Sequence, residues 1–130
     1  RKLVESCFNK NKYFNRYFNK YSKFSFPKYV KYYSKFIHRL SSNDKYIPTI
    51  LSGWDNTARY EHRGFLFDKF DERTFYNFAK NIIHTAKVYD KKFFMIKAWN
   101  EWAEGNILEP SQLHKNRILE SFFNAISLER

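Results

Sequence analysis

The strongest constraint on this chain is a helix-patterned stretch set between two short apolar runs. Residues 72–89 carry Phe75, Phe78, Ala79, Ile82, Ile83, Ala86 and Tyr89, repeating at three and four. That period puts them on one face of a helix. Asp71 stands where an N-cap belongs, and Asp90 and Lys91 break the pattern. The flanking runs, 46–51 (YIPTIL) and 93–98 (FFMIKA), have the length and apolarity of strands. Pro48 argues against a central antiparallel strand but allows a strand start. Two strands joined through a helix pair in parallel, as a right-handed βαβ unit. The expected fold class is therefore α/β.

Other elements follow the same logic. Tyr29, Val30, Tyr33, Phe36, Ile37 and Leu40 share a stripe that predicts a helix over 28–40, with Pro27 suited to its first turn. Residues 1–26 hold aromatics at loosely helical spacing and read as helix or irregular chain. Residues 52–70 and 99–112 read as loops. Leu113, Arg117–Leu119, Phe122, Phe123 and Ile126 suggest a closing helix.

Length and charge bound the possibilities. The 130 residues make one domain at most. No apolar run approaches the roughly 20 residues of a membrane span. The single cysteine, Cys7, excludes an internal disulfide framework and reads as a small hydrophobe. The net charge of +11 is uneven: residues 1–46 hold twelve basic and two acidic side chains, residues 47–130 twelve and eleven. A basic front can attract nucleic acid or anionic lipid. The same front is rich in Lys, Asn, Tyr and Phe, as is the rest of the chain. This bias favours compositional drift, with Lys as the default solvated residue, over a dedicated nucleic-acid patch.

Chemistry concentrates in the two loops that follow the predicted strands. These are Gly53-Trp54-Asp55-Asn56-Thr57-Ala58-Arg59 and Trp99-Asn100-Glu101-Trp102-Ala103-Glu104-Gly105, the second running on to Glu109-Pro110. In a parallel sheet both loops leave the carboxyl ends of their strands, where α/β folds place active sites. All three tryptophans of the chain lie in them. If 101–104 turns like a helix, the Glu101 and Glu104 Cβ atoms sit about 5–6 Å apart on one face. Retaining glycoside hydrolases use carboxyl groups about 5–5.5 Å apart. Trp54, Trp99 and Trp102 offer flat apolar faces to sugar C–H surfaces. Asn100, Asp55, Asn56 and Arg59 offer hydrogen bonds to hydroxyls or phosphate. The plainer alternative is a solvated Glu pair with tryptophans at the core or rim.

Other motifs are weak. His38, His62, His84 and His114 lack metal-ligand spacing. There is no nucleophile elbow and no P-loop, and three glycines leave no dinucleotide fingerprint.

Residues 98–110, AWNEWAEGNILEP, resemble the signature of WbsX-like proteins of bacterial surface-polysaccharide synthesis. Those are described as glycosyltransferases and are similar to glycoside hydrolase family 99, the endo-α-mannosidases. GWDNTAR, residues 53–59, resembles a second signature of the same family, in the same order. The resemblance is convincing over about residues 46–125.

It implies the C-terminal part of a (β/α)8 barrel, the two strands being its last two. It implies an enzyme acting on glycosidic bonds of a lipopolysaccharide O-antigen or capsule, with no required metal or other cofactor. Glu101 would take the proton from the sugar 2-hydroxyl, and Glu104 would act as acid and then base. Trp54, Asp55, Asn56, Arg59, Trp99, Asn100 and Trp102 would bind substrate. Ala103 stands where the hydrolases commonly have His, following the WbsX-like pattern.

The expected division is a basic, aromatic-rich helical segment, 1–45, and a βαβα barrel part, 46–130. The expected partner is a glycan or sugar donor rather than nucleic acid. The expected location is the cytoplasm, with peripheral contact at the inner face of the membrane left open. A full barrel needs about 200–250 residues or more. The rest is therefore expected upstream, and the isolated stretch is expected to be inactive. The alternatives are a hydrolase, a basic binding module or an inactive remnant.

Overall fold

The computed structural model describes residues 21–127. The expectations for Cys7 and for the first twenty residues lie outside the described residues. Elements run in the order β1 (Ser22–Ser25), α1 (Phe26–Ser41), β2 (Thr49–Leu51), α2 (Thr57–Tyr60), a 3₁₀ turn (Glu61–Arg63) and β3 (Phe65–Asp68). Then follow α3 (Glu72–Val88), β4 (Met95–Lys97), β5 (Asn100–Glu101), a second 3₁₀ turn (Trp102–Glu104), β6 (Asn106–Ile107) and α4 (Arg117–Ser127). The chain is a mixed α/β structure with two pairs of short parallel strands.

The predicted βαβ unit is present. β2 and β4 pair in parallel, Thr49 opposite Met95, Ile50 opposite Ile96 and Leu51 opposite Lys97. Pro48 sits just before β2, and its carbonyl accepts the Met95 amide at 2.9 Å. A proline there costs no ladder donor. α3 begins as expected: Asp71 Oδ1 accepts the Thr74 amide at 2.9 Å and Oδ2 the Thr74 hydroxyl at 2.7 Å. An N-cap of this kind satisfies amides that the first turn leaves orphaned.

Two expectations are corrected. Residues 22–25, read as helix or irregular, form β1; residues 65–68, read as loop, form β3. The two strands pair in parallel, Ser22 opposite Phe65 through Ser25 opposite Asp68. Every residue of β3 is half-buried. That removes the alternation by which a strand is read from sequence.

The core lies where α1, α3 and α4 meet the back of β2 and β4. Phe26, Ile37, Ile50, Phe75, Phe78, Ala79, Ile82, Ile83, Leu108, Ile118 and Ala125 are buried together. The Phe26 ring meets Phe67, Phe70 and Phe78 at 5.5, 4.8 and 5.9 Å. Such tilted and edge-on ring pairs add to the stabilisation from buried area. Arg117 Nη1 pairs with Glu72 Oε1 at 3.0 Å, joining the starts of α4 and α3. Leu108 carries the chain from the β5–β6 hairpin into this core, anchoring the second signature loop.

Candidate active site

Because β2 and β4 are parallel, the chain leaves both at the same edge. Ser52 fastens that edge. Its amide donates to the Lys97 carbonyl at 2.9 Å, and its hydroxyl accepts the Ala98 amide at 3.1 Å. The hydroxyl also lies 3.0 Å from the Ala98 carbonyl.

The two signature loops then touch. The Asp55 amide donates to the Glu104 carbonyl at 2.8 Å. The Asn106 side-chain amide donates to the Gly53 carbonyl. Gly105 has φ +63°, and a Cβ there would stand 2.7 Å from the Asp55 nitrogen. A Cβ on Gly53, φ +110°, would meet the Gly105 oxygen at 3.1 Å. Glycine supplies both the left-handed backbone and the room.

The expected helical turn over 101–104 is only partly formed. Asn100 and Glu101 are extended in β5, paired antiparallel with Ile107 and Asn106. The turn is confined to Trp102–Glu104. Glu101 is exposed and Glu104 half-buried. Glu104 Oε2 accepts from Lys97 Nζ at 2.9 Å.

The tryptophans differ in surroundings. Trp99 and Trp102 are 52% and 58% exposed. Trp102 Nε1 donates to Glu109 Oε1 at 2.7 Å, which fixes its indole. Trp54 is half-buried and stacks on Phe65 at 5.1 Å with 3° between the planes. Lys97 Nζ lies over the Trp54 ring, 5.0 Å from its centroid.

The polar groups of the first loop are engaged within it. Asp55 Oδ1 accepts from the Thr57 amide at 3.0 Å and its hydroxyl at 2.6 Å. Asn56 is buried, and its Oδ1 accepts the Phe65 amide at 2.8 Å. Arg59 is exposed, its guanidinium 5.4 Å from the Tyr60 ring centre.

The structure thus brings Trp54, Asp55, Glu104 and the hairpin of Asn100 and Glu101 to one rim. It also adds three residues that sequence reasoning passed over. Lys97 lies within the apolar run 93–98, and Asn106 and Glu109 within the loop 99–112, with nothing in the sequence to single them out. Only the register of β4 against β2 brings Lys97 to the end of its strand beside Glu104.

An open depression of about 620 Å³ lies before and along α4, lined by Pro110, Ser111, Gln112, Lys115, Asn116, Arg117 and Glu120. No signature carboxylate lines it.

A family model described as Glycosyltransferase WbsX matches residues 2–122. The chain belongs to this family. The match spans both signature loops and every element up to the middle of α4. No curated protein and no solved structure matches the chain. Membership makes this WbsX chain a glycan-active enzyme by class. Among the described residues no helix is long and apolar enough to cross a membrane.

Proposed function

We propose that this WbsX-family chain acts on glycosidic bonds of a bacterial surface polysaccharide, O-antigen or capsule, through Glu101 and Glu104. The observation that carries the reading is the contact of the two signature loops, Asp55 amide to Glu104 carbonyl. The contact supports the reading because it holds the Glu104 backbone against the first loop, at the carboxyl edge of a parallel strand pair.

In the proposed chemistry Glu101 accepts the proton of the sugar 2-hydroxyl as that oxygen attacks the anomeric carbon. The bond to the leaving oxygen breaks, and Glu104 in its acid form protonates that oxygen. Glu104, now a carboxylate, takes the proton of an incoming hydroxyl, which opens the anhydro-sugar. Glu101 returns its proton to the 2-oxygen. The configuration is retained. Trp99 and Trp102 present their faces to the sugar, and Asn100 and Arg59 offer donors.

The same reading makes β2 and β4 neighbouring strands of a (β/α)8 barrel similar to glycoside hydrolase family 99. Ile50 on β2 and Phe94 and Ile96 at β4 belong to the helical core, whereas Met95 between them is 53% exposed. Such alternation suits a barrel wall with helices on one side. Residues 46–130 carry the site and residues 1–45 form the basic leading segment. We place the protein in the cytoplasm, at or near the membrane face where polysaccharide is assembled.

The test uses the protein as its whole reading frame encodes it. It is assayed with sugar nucleotides plus glycan acceptors, and separately with α-linked mannose oligosaccharides. Glu101→Gln and Glu104→Gln should each lower turnover by about 10²-fold or more at unchanged melting temperature. Turnover that survives both changes would sink the reading. So would salt-sensitive polyanion binding with no glycan turnover, which would favour a basic binding module.

A further inference from the structure

We infer that Lys97 and Trp54 are positioning residues for Glu104, Trp54 serving as a platform for the lysine rather than for a sugar. The inference rests on the reading of Glu104 as a reacting group and adds the device that holds it, as the carboxylate that takes the proton of the incoming hydroxyl in the second step.

Three observations converge. Lys97 Nζ reaches Glu104 Oε2 at 2.9 Å while lying 5.0 Å from the Trp54 ring centre. A cation over an indole is drawn to the ring face. The ammonium therefore has two attractive contacts and one preferred place. The Lys97 side chain is 44% exposed and that of Glu104 24%, so the carboxylate is the more enclosed partner.

The backbones of all three residues are pinned. Lys97 stands opposite Leu51 in the strand pair, and its carbonyl accepts the Ser52 amide at 2.9 Å. The Glu104 carbonyl accepts the Asp55 amide, and the Trp54 carbonyl accepts the Phe67 amide, each at 2.8 Å. A surface ion pair between long, free side chains loses most of its value to side-chain entropy. Here the strand, the 3₁₀ turn and the stacked indole restrict that freedom beforehand.

Trp54 differs from the other two tryptophans on this point. Trp99 and Trp102 keep more than half their surface open. Trp54 is stacked on Phe65 and has the Lys97 ammonium over its ring. Its Nε1 is buried with no partner, so its donor offers nothing to a sugar hydroxyl. The first signature loop thus reaches the carboxylate in two ways, through the Asp55 amide and through the Trp54 face under Lys97.

The experiment has a readout independent of turnover. In the whole reading-frame product labelled with 15N lysine, the Lys97 ammonium should give a slowly exchanging Nζ resonance. Glu104→Gln should abolish it, Trp54→Ala should broaden or shift it, and Trp54→Phe should largely keep it. On any glycoside that the protein turns over, Lys97→Met should lower kcat at least tenfold with KM within twofold, and Lys97→Arg should restore part of kcat. Trp54→Ala should follow the same kcat pattern. A Lys97 resonance indifferent to both Glu104→Gln and Trp54→Ala would overturn the inference. So would a Trp54→Ala effect confined to KM, which is the mark of a sugar platform. If nothing is turned over at all, the catalytic reading fails and the resonance alone decides whether the three side chains form one unit.

Discussion

Around Phe78 the molecule is held by rings and branched chains that exclude water; around Glu104 it is held by backbone hydrogen bonds, two glycines and one ion pair. The helical side can tolerate small shifts so long as volume is conserved. The rim cannot, because Asp55 and Gly105 stand so close that one added carbon has no room. The division suits an enzyme. A packed side supplies stability, and a tightly fitted but exposed rim supplies placement.

The largest expected effect breaks the first half of this comparison. Phe78 is fully buried and lies within about 6 Å of the Phe26, Tyr29 and Tyr33 rings. Phe78→Ala removes a large core side chain and leaves a cavity, at a cost of about 3–5 kcal/mol. That is a large share of a domain's stability. Urea unfolding followed by circular dichroism should show the unfolding free energy falling by that amount, or no folded baseline. A loss under 1 kcal/mol would mean that the helices do not pack as described.

A smaller change sharpens the second half. Gly105→Ala should cost about 1–3 kcal/mol, from left-handed backbone and from the contact with Asp55. Its expected signature is local. Trp102 opens the 3₁₀ turn that Gly105 ends and donates to Glu109, so its fluorescence should change while most of the helical circular dichroism persists. A variant with native fluorescence would show that the two loops are not in contact.

The two regions also differed in how far the sequence disclosed them. α3 was legible from Asp71 to Val88 because an amphipathic period of seventeen residues with a cap has few rival interpretations. The parallel pairing of β2 and β4 followed from the helix between them. β1 and β3 were missed. SKFS and FLFD are four-residue strands with every position of β3 half-buried, so period two had nothing to act on.

At the rim the residue types were visible but their partners were not. Asn56 looks the same in sequence whether it faces a sugar or, as here, is buried and accepts the Phe65 amide. Glu101 and Glu104 were read on one helical turn; the hairpin register of β5 against β6 extends Glu101 instead. Lys97 carried no local signal at all. Its place depends on Trp54, forty-three residues earlier, and no local pattern reports a contact of that range.

The smallest expected effect asks whether the helical side alone sets the response to acid. Burial acts to push the Asp71 carboxyl up, but the hydrogen bonds from Thr74 and the Arg73 amide, with the Arg73 charge, hold it below its ordinary value of 3.8. A carboxyl depressed in the folded state stabilises fully above its unfolded value, and that contribution is lost as the pH falls through the folded one. His114 acts in the same direction at higher pH. Burial, aided by Arg117 and opposed by Glu72, holds its imidazole below 6.5. The unfolded chain therefore binds the proton more readily, and stability declines as the pH drops below about 6.5. Melting temperature should thus fall in two steps, one beginning near pH 6.5 and one below about pH 4. His114→Gln should flatten the first step. Asp71→Asn keeps an N-cap acceptor without a titrating charge, so it should flatten the second while changing neutral-pH stability by less than about 1 kcal/mol. Both steps come from residues at the starts of α3 and α4. If the double variant still lost stability with the same profile, His114 and Asp71 would not be the source of the acid response, and the helical side would not set it alone.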